Sequence, residues 1–164
     1  MKTPAKIRIA LRSDAALLHS MVLGLARSTG HEHKVTSTVD DFIYHGFEEP
    51  RAFEGLIAEQ AGKAVGLCLL FYDFSSWRGK LGVYIQDLYV HPSQRGTGLG
   101  RRLMVEAARR GRARGADHMR LSVDSENETA HAFYEHIGMT RRRDEYIFQA
   151  ADQAFQDLAN NKQD

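Results

Sequence analysis

The spacing of apolar positions changes several times along the chain, and each change predicts an element. "KIRIA", residues 6–10, alternates and predicts a short first strand. Leu17, Leu18, Met21, Val22 and Leu25 then recur at helical spacing within "RSDAALLHSMVLGLAR", predicting an amphipathic helix with Ser13 or Asp14 as its N-cap. "STGHEHKVTST" has no period and reads as a loop, after which Thr38 or Asp40 caps a short helix through "DDFIYHGF". A β-rich middle follows: "FEGLIAEQ" and "AVGLCLLFYDF" are strands joined at "AGK", a hairpin signal, and "KLGVYIQDLYV" is a third, closed by "HPSQRG". Leu99, Leu103, Met104, Ala107 and Ala108 mark one face of a helix running to about Arg114. "HMRLSVD" predicts a strand, "NETAHAFYEHIG" a helix ending at Gly138, and "EYIFQA" a late strand. Residues 150–160 predict a terminal helix, with "NNKQD" as a frayed tail. The order β-α-α-β-β-β-α-β-α-β predicts an α+β, mixed α/β domain around one central sheet.

Length and composition narrow this picture. At 164 residues and 43% hydrophobic content, one domain over 1–164 with a core needing neither metal nor disulfide is expected. Cys68 is the only cysteine, which excludes an internal disulfide and fits a reducing cytoplasm. No segment approaches a membrane span. The net charge of +1, with acids and bases interspersed, predicts no nucleic-acid or membrane partner. His31 and His33 lie two apart without further ligands at zinc spacing, so no metal is expected.

"QRGTGLGRRL" holds the chemistry that the pattern does not need. Gly96, Gly98 and Gly100 alternate at the entrance of the long helix. The first amides of a helix have no intrahelical acceptors, and the aligned peptide dipoles add partial positive charge there. Glycines remove the Cβ atoms that would hold a phosphate away, so the stretch suits a pyrophosphate, with Arg95, Arg101 and Arg102 as counter-charge. A turn needed only for chain reversal uses glycine equally well. A Walker loop requires Gly-Lys-Ser/Thr, whereas Arg101 follows Gly100 here. The dinucleotide fingerprint requires G-x-G-x-x-G, and the spacing is G-x-G-x-G.

The run "VHPSQRGTGLGRRL" resembles the acyl-coenzyme A loop of the GNAT superfamily of acetyltransferases, R/Q-x-x-G-x-G/A, with Arg95, Gly98 and Gly100 at its defining positions. "ENETAHAFYEHIGM" resembles the second signature of that superfamily, with Asn127 and Tyr134 in place. "SSWRGKLGVYIQDLYV", "YEHIG" and "IFQAADQAFQDLA" resemble more closely its diamine (spermidine/spermine-type) N-acetyltransferase branch. The resemblance implies a central, mostly antiparallel sheet flanked by helices, acetyl-coenzyme A as cosubstrate and a homodimer. It assigns the cosubstrate to Leu88, Tyr89, Val90, Arg95, Gly96, Thr97, Gly98, Leu99, Gly100, Arg101, Asn127 and Tyr134, with the pantetheine arm hydrogen-bonded to backbone at Leu88 and Val90. It assigns the amine to Glu32, Trp77, Tyr84, Gln86 and Asp87.

Acetyl transfer to nitrogen needs a neutral amine. A lysine-like amine, pKa about 10.4, costs about 4.6 kcal/mol to present deprotonated at pH 7. A base offsets part of this cost, the departing thiolate needs a proton, and the developing oxyanion needs a hydrogen-bond donor. Tyr134 occupies the acid position of the resemblance. The branch carries glutamate where Gln86 stands, and an amide takes no proton. Asp87 is adjacent but points to the opposite face in a regular strand. Three sources of a base follow: Asp87 after a local bulge, another carboxylate, or bulk water. His31, Glu32, His33 and Lys34 leave little net charge in a loop that is acidic in polyamine-acetylating relatives, which favours a diamine or a lysine-like amine. Asp40, Asp41, Glu48 and Glu49 offer charge that would draw an ammonium, although a run of surface carboxylates more often reads as a solvated face. Two rival functions are acetylation of a protein lysine or N-terminus, and an acyl-coenzyme A-binding module with little turnover.

Overall fold

A computed structural model describes residues 4–161. The chain forms two compact units, one up to Ser122 and one from Val123. In the first unit the elements are β1 (Lys6–Ile9), α1 (Ala15–Ser28), α2 (Val39–Phe47), β2 (Glu54–Gln60), β3 (Lys63–Ser75), β4 (Lys80–Val90), α3 (Leu99–Ala113) and β5 (His118–Leu121). The sheet order is β1-β2-β3-β4-β5, antiparallel until β5, which runs parallel to β4 across the α3 crossover. This is the mixed α+β architecture around one central sheet that the pattern predicts, with the mostly antiparallel order that the resemblance implies.

Each sheet face carries its own helices. Leu18, Met21 and Phe42 of α1 and α2 form one core with Ile57, Leu67 and Leu69. On the other face Leu103 of α3 reaches Gly66 of β3, and Gly111 lets the helix close onto Val83, where any Cβ would collide with that side chain. Both glycines therefore set how closely α3 lies on the strands that precede its own loop.

Local signals resolve as sequence chemistry dictates. Thr38 caps α2 in a reciprocal box, its hydroxyl accepting from the Asp41 amide at 3.3 Å while Asp41 accepts from the Thr38 amide at 2.7 Å. Asp14 holds the N-cap position of α1 but gives no side-chain cap. Its carboxylate instead accepts from the Leu11 amide at 2.7 Å and from Arg8 at 2.7 and 2.9 Å. The β2–β3 turn places Ala61 and Gly62 at φ of 50° and 74°, the two positive angles of a twist-matched two-residue hairpin.

The second unit contains α4 (Glu128–His136) and α5 (Asp152–Ala159). Gly138 follows α4 at φ 96°, in the left-handed region where a helix stop favours glycine. The strand predicted at "EYIFQA" does not form, and Tyr146, Ile147 and Phe148 are exposed. Its alternating pattern has no strand alongside to pair with among the described residues of that unit. The predicted "HMRLSVD" strand stops at Leu121, three residues early. The predicted tail falls partly at Asn160 and Asn161, which close the last turn of α5, and partly at 162–164, outside the described residues.

Candidate active site

Two irregularities in β4 open the sheet. Leu70 pairs with Ile85 and Leu69 with Asp87, so Gln86 is an extra residue in a bulge. Directly opposed residues share a face, so Asp87 and Tyr89, opposite Leu69 and Leu67, lie on the side of α1 and α2. Tyr84, opposite Phe71, joins them because the bulge shifts the alternation by one. The second irregularity is a split: β5 pairs with β4 only from Gly82↔His118 to Ile85↔Leu121. Beyond Ile85 the β5 side of β4 has no strand partner among the described residues. His91 donates its amide to the Val65 carbonyl at 2.9 Å, so alternate residues of β4 bond β3 and the backbone groups of Leu88 and Val90 aim into the gap. The Val90 carbonyl accepts from Arg95 Nε at 3.2 Å.

The gap leads to the glycine loop. A short helical turn, Pro92–Gln94, follows β4 and is pinned by Gln94, buried and donating to Gln60 Oε1 at 2.8 Å. Thr97 turns its hydroxyl back to the Gln94 carbonyl at 2.6 Å. Gly96 and Gly98 take φ of 73° and 81°, and neither would meet any atom within 4 Å if it carried a Cβ. The space over them is open. Gly98 is the N-cap of α3 and supplies no side-chain cap, so the amides of Leu99, Gly100 and Arg101 open the helix without a carbonyl one turn before them. Arg95 and Arg101 are exposed, while Leu99 is buried and anchors the turn. Arg102, a counter-charge in the sequence reading, donates instead to the Ala5 carbonyl. Bare glycines, unpaired amides and positive charge fit a diphosphate; the group itself is supplied by a ligand.

Asp87 is the carboxylate of this region. Burial raises its pKa above the ordinary aspartate range, and no described hydrogen bond or ion pair compensates. Gln86, one residue away, is exposed. Cys68, fully buried on β3, is pushed up to about 12 by burial first and by Asp87 second, which keeps it a neutral thiol.

The end of α1 borders the same face. The Tyr89 ring packs against Gly24, where an added Cβ would stand 3.1 Å from the phenol oxygen. One turn further, Arg27 Nε donates to Glu32 Oε1 at 2.7 Å. That bond raises the Arg27 pKa, helped by the Glu32 charge and more weakly by Tyr89, and it lowers the pKa of Glu32. Arg27, Gly30, Glu32 and His33 line an open depression of about 520 Å³. Glu32 is thus joined to a cation, a pairing across the helix end that hydrophobic periodicity does not reveal. Tyr84 stacks on Phe71, centroids 4.8 Å apart, and shares a 2.8 Å hydrogen bond with Ser122. Trp77 is 99% exposed at the β3–β4 tip, the other end of β4 from the loop, and the fold does not bring it to the rest.

Asn127 and Tyr134 belong to the second unit. Asn127 caps α4, its side-chain oxygen accepting from the Ala130 amide at 3.1 Å. Tyr134 is half-buried on α4, edge-on to Phe133 with centroids 5.0 Å apart. His131, missed by the sequence reading, is buried, with Nε2 2.9 Å from the Asp124 carbonyl oxygen.

Similarity to known proteins agrees with this geometry. The chain is 30% identical over 141 residues to a thialysine N-epsilon-acetyltransferase of Mus musculus, covering 81% of this chain and 82% of that protein. A Bos taurus protein of the same name is 26% identical over 164 residues, covering 93% and 96%. Among solved structures, an integron cassette protein from the mobile metagenome of V. cholerae superimposes with a TM-score of 0.82 at 22% identity, covering 96% and 98%. An aminoglycoside acetyltransferase from a soil metagenomic sample, in complex with sisomicin, gives 0.77 at 15% identity, covering 91% and 97%. The profile of the acetyltransferase (GNAT) family matches residues 20–139, and with the split strand and bare glycine loop in place, this chain belongs to that family of N-acetyltransferases.

Proposed function

We propose that the enzyme transfers acetyl from acetyl-coenzyme A to a primary amine of a small molecule, a diamine, polyamine or lysine-like amine, by direct attack in a ternary complex. The observation that carries this reading is the continuity of the β4 gap with the open loop at Gly96 and Gly98. The thioester supplies the acetyl group. The amides of Leu99, Gly100 and Arg101, with the Arg95 and Arg101 cations, hold the diphosphate. Leu88 and Val90 hold the amide-bearing arm through backbone, in the manner of a strand. Asp87 accepts the proton of the ammonium, directly or through one water, and its raised pKa suits it to that task better than an ordinary aspartate. Gln86, on the bulge, positions water or substrate by hydrogen bonding. Tyr134 gives its proton to the departing sulfur, and Asn127 contacts the pantetheine arm with the amide nitrogen its cap does not use. Cytoplasmic action and a homodimer belong to the same proposal.

The test is thiol release from acetyl-coenzyme A with and without a panel of diamines, polyamines and lysine analogues. Amine-dependent release supports the reading. Tight coenzyme A binding without acceleration by any amine favours the alternative of a binding module, which gains its support from Gln86 standing where the resembling branch has glutamate.

A further inference from the structure

We propose that His131 is the positioning residue of α4, tying the 124–127 turn to the helix so that the Asn127 amide and the Tyr134 phenol meet the cosubstrate from one stripe. The proposal rests on the roles given above to Asn127 and Tyr134.

Asp124 is the hub of the turn. Its carbonyl accepts the Asn127 amide at 3.0 Å and lies 2.9 Å from His131 Nε2, while its Oδ1 accepts the Glu126 amide at 2.9 Å. A carbonyl only accepts, so Nε2 carries the ring proton. The His131 backbone amide donates to the Asn127 carbonyl at 3.0 Å. One residue thus holds the turn by its ring and the cap by its backbone. Positions 127, 131 and 134 are spaced i, i+4 and i+7, so the imidazole stands between cap and phenol on one helical face.

Packing alone does not account for a histidine here. Its side chain is 8% exposed, and Nδ1 is buried without a hydrogen-bond partner, with Glu128 Oε1 3.5 Å away. A buried acceptor lacking a donor is costly, and an apolar side chain would fill the same space without that cost. What it would not supply is the Nε2 proton on the Asp124 carbonyl.

Two variants test this. His131→Leu fills the site and removes the donor, whereas His131→Gln places an amide N–H at the reach of Nε2. In His131→Leu, kcat is expected to fall about tenfold or more and coenzyme A to bind about three- to tenfold more weakly, with KM for the amine unchanged. 3′-Phospho-ADP, which has the diphosphate but no pantetheine, is expected to keep its affinity. His131→Gln is expected to recover most of both losses. An unchanged kcat or coenzyme A affinity in His131→Leu, equal losses in both variants, or a parallel loss of 3′-phospho-ADP overturns the inference. Nitrogen NMR of isotope-labelled histidine reads the same bond in the wild type: a protonated Nε2 is expected, and a bare one overturns it. Thiol release that no amine accelerates in the wild type removes the acetyltransferase reading, and the two affinities then still decide whether His131 positions Asn127.

Discussion

Asp87 stands opposite Leu69 across the β3–β4 ladder, although Leu70 pairs with Ile85, and the skipped residue between them is Gln86. One inserted position thereby brings a carboxylate and the Tyr84 phenol to the same sheet face. The carboxylate is costly there because burial opposes its charge.

Replacing Asp87 with Asn is therefore expected to separate stability from turnover. Loss of a general base lowers kcat by about a hundredfold or more. The same change raises the midpoint of thermal unfolding at neutral pH. The sign follows from linkage: a carboxyl whose folded pKa is raised stabilises the protein below its unfolded pKa and loses that contribution as pH rises through the folded value. Wild type and variant should thus differ most in stability above that value and converge in acid. An unfolding series across pH, run beside a kcat profile, checks both halves. A variant that keeps its rate removes Asp87 from the base role.

Gln86→Glu distinguishes a missing base from a relocated one. With Asp87 serving, the new carboxylate is expected to change kcat by less than about tenfold, far below the hundredfold or more a general base supplies. A rise of the larger size would mean that the wild-type enzyme has no side-chain base.

Gly98→Ala tests the loop. The space over Gly98 is open, so the penalty is the φ of 81° rather than a clash. A left-handed non-glycine residue costs about 1–2 kcal/mol, and relaxation of the turn would misdirect the amides that follow. Calorimetry is expected to show coenzyme A affinity falling by about tenfold or more, with the unfolding midpoint only modestly lower.

Ala61 occupies a left-handed turn position at φ 50° without a functional reason to do so. Ala61→Gly is expected to stabilise the protein by about 0.5–1 kcal/mol, the relief of strain exceeding the entropy lost by glycine. Denaturant unfolding with an unchanged slope is the check. The turn adjoins Gln60, which holds Gln94 at the start of the loop, so coenzyme A affinity is measured beside stability and is expected to stay unchanged as long as that bond persists.

What could be read from the sequence depended on how local the cause was. The "AGK" hairpin, the Thr38 cap and the glycine entrance of α3 are decided by residues within a few positions of one another, and all three appear in the fold. The bulge at Asp87 is one of three options the sequence leaves open for the base, and nothing local selects it, because "VYIQDLYV" alternates acceptably with or without an inserted residue. The early end of β5 was equally hidden, since "SVD" continues the strand pattern while its would-be neighbour beyond Ile85 has already parted. Asp14 takes the N-cap position as expected but gives α1 no side-chain cap, because the Leu11 amide and Arg8, six residues earlier on another element, hold its carboxylate. The Arg27–Glu32 bond spans a helix end, where neither helical nor strand periodicity applies. Tertiary pairing, not propensity, decided each of these.

Cys68 has a practical corollary. A neutral, solvent-shielded thiol does not attack the disulfide of a thiol-detecting dye while the protein is native, so the colour tracks only the liberated coenzyme. Once the sheet melts, the same reagent acquires one stoichiometric target per chain. A single dye therefore counts catalytic events in the native protein and molecules lost to denaturation in the heated one.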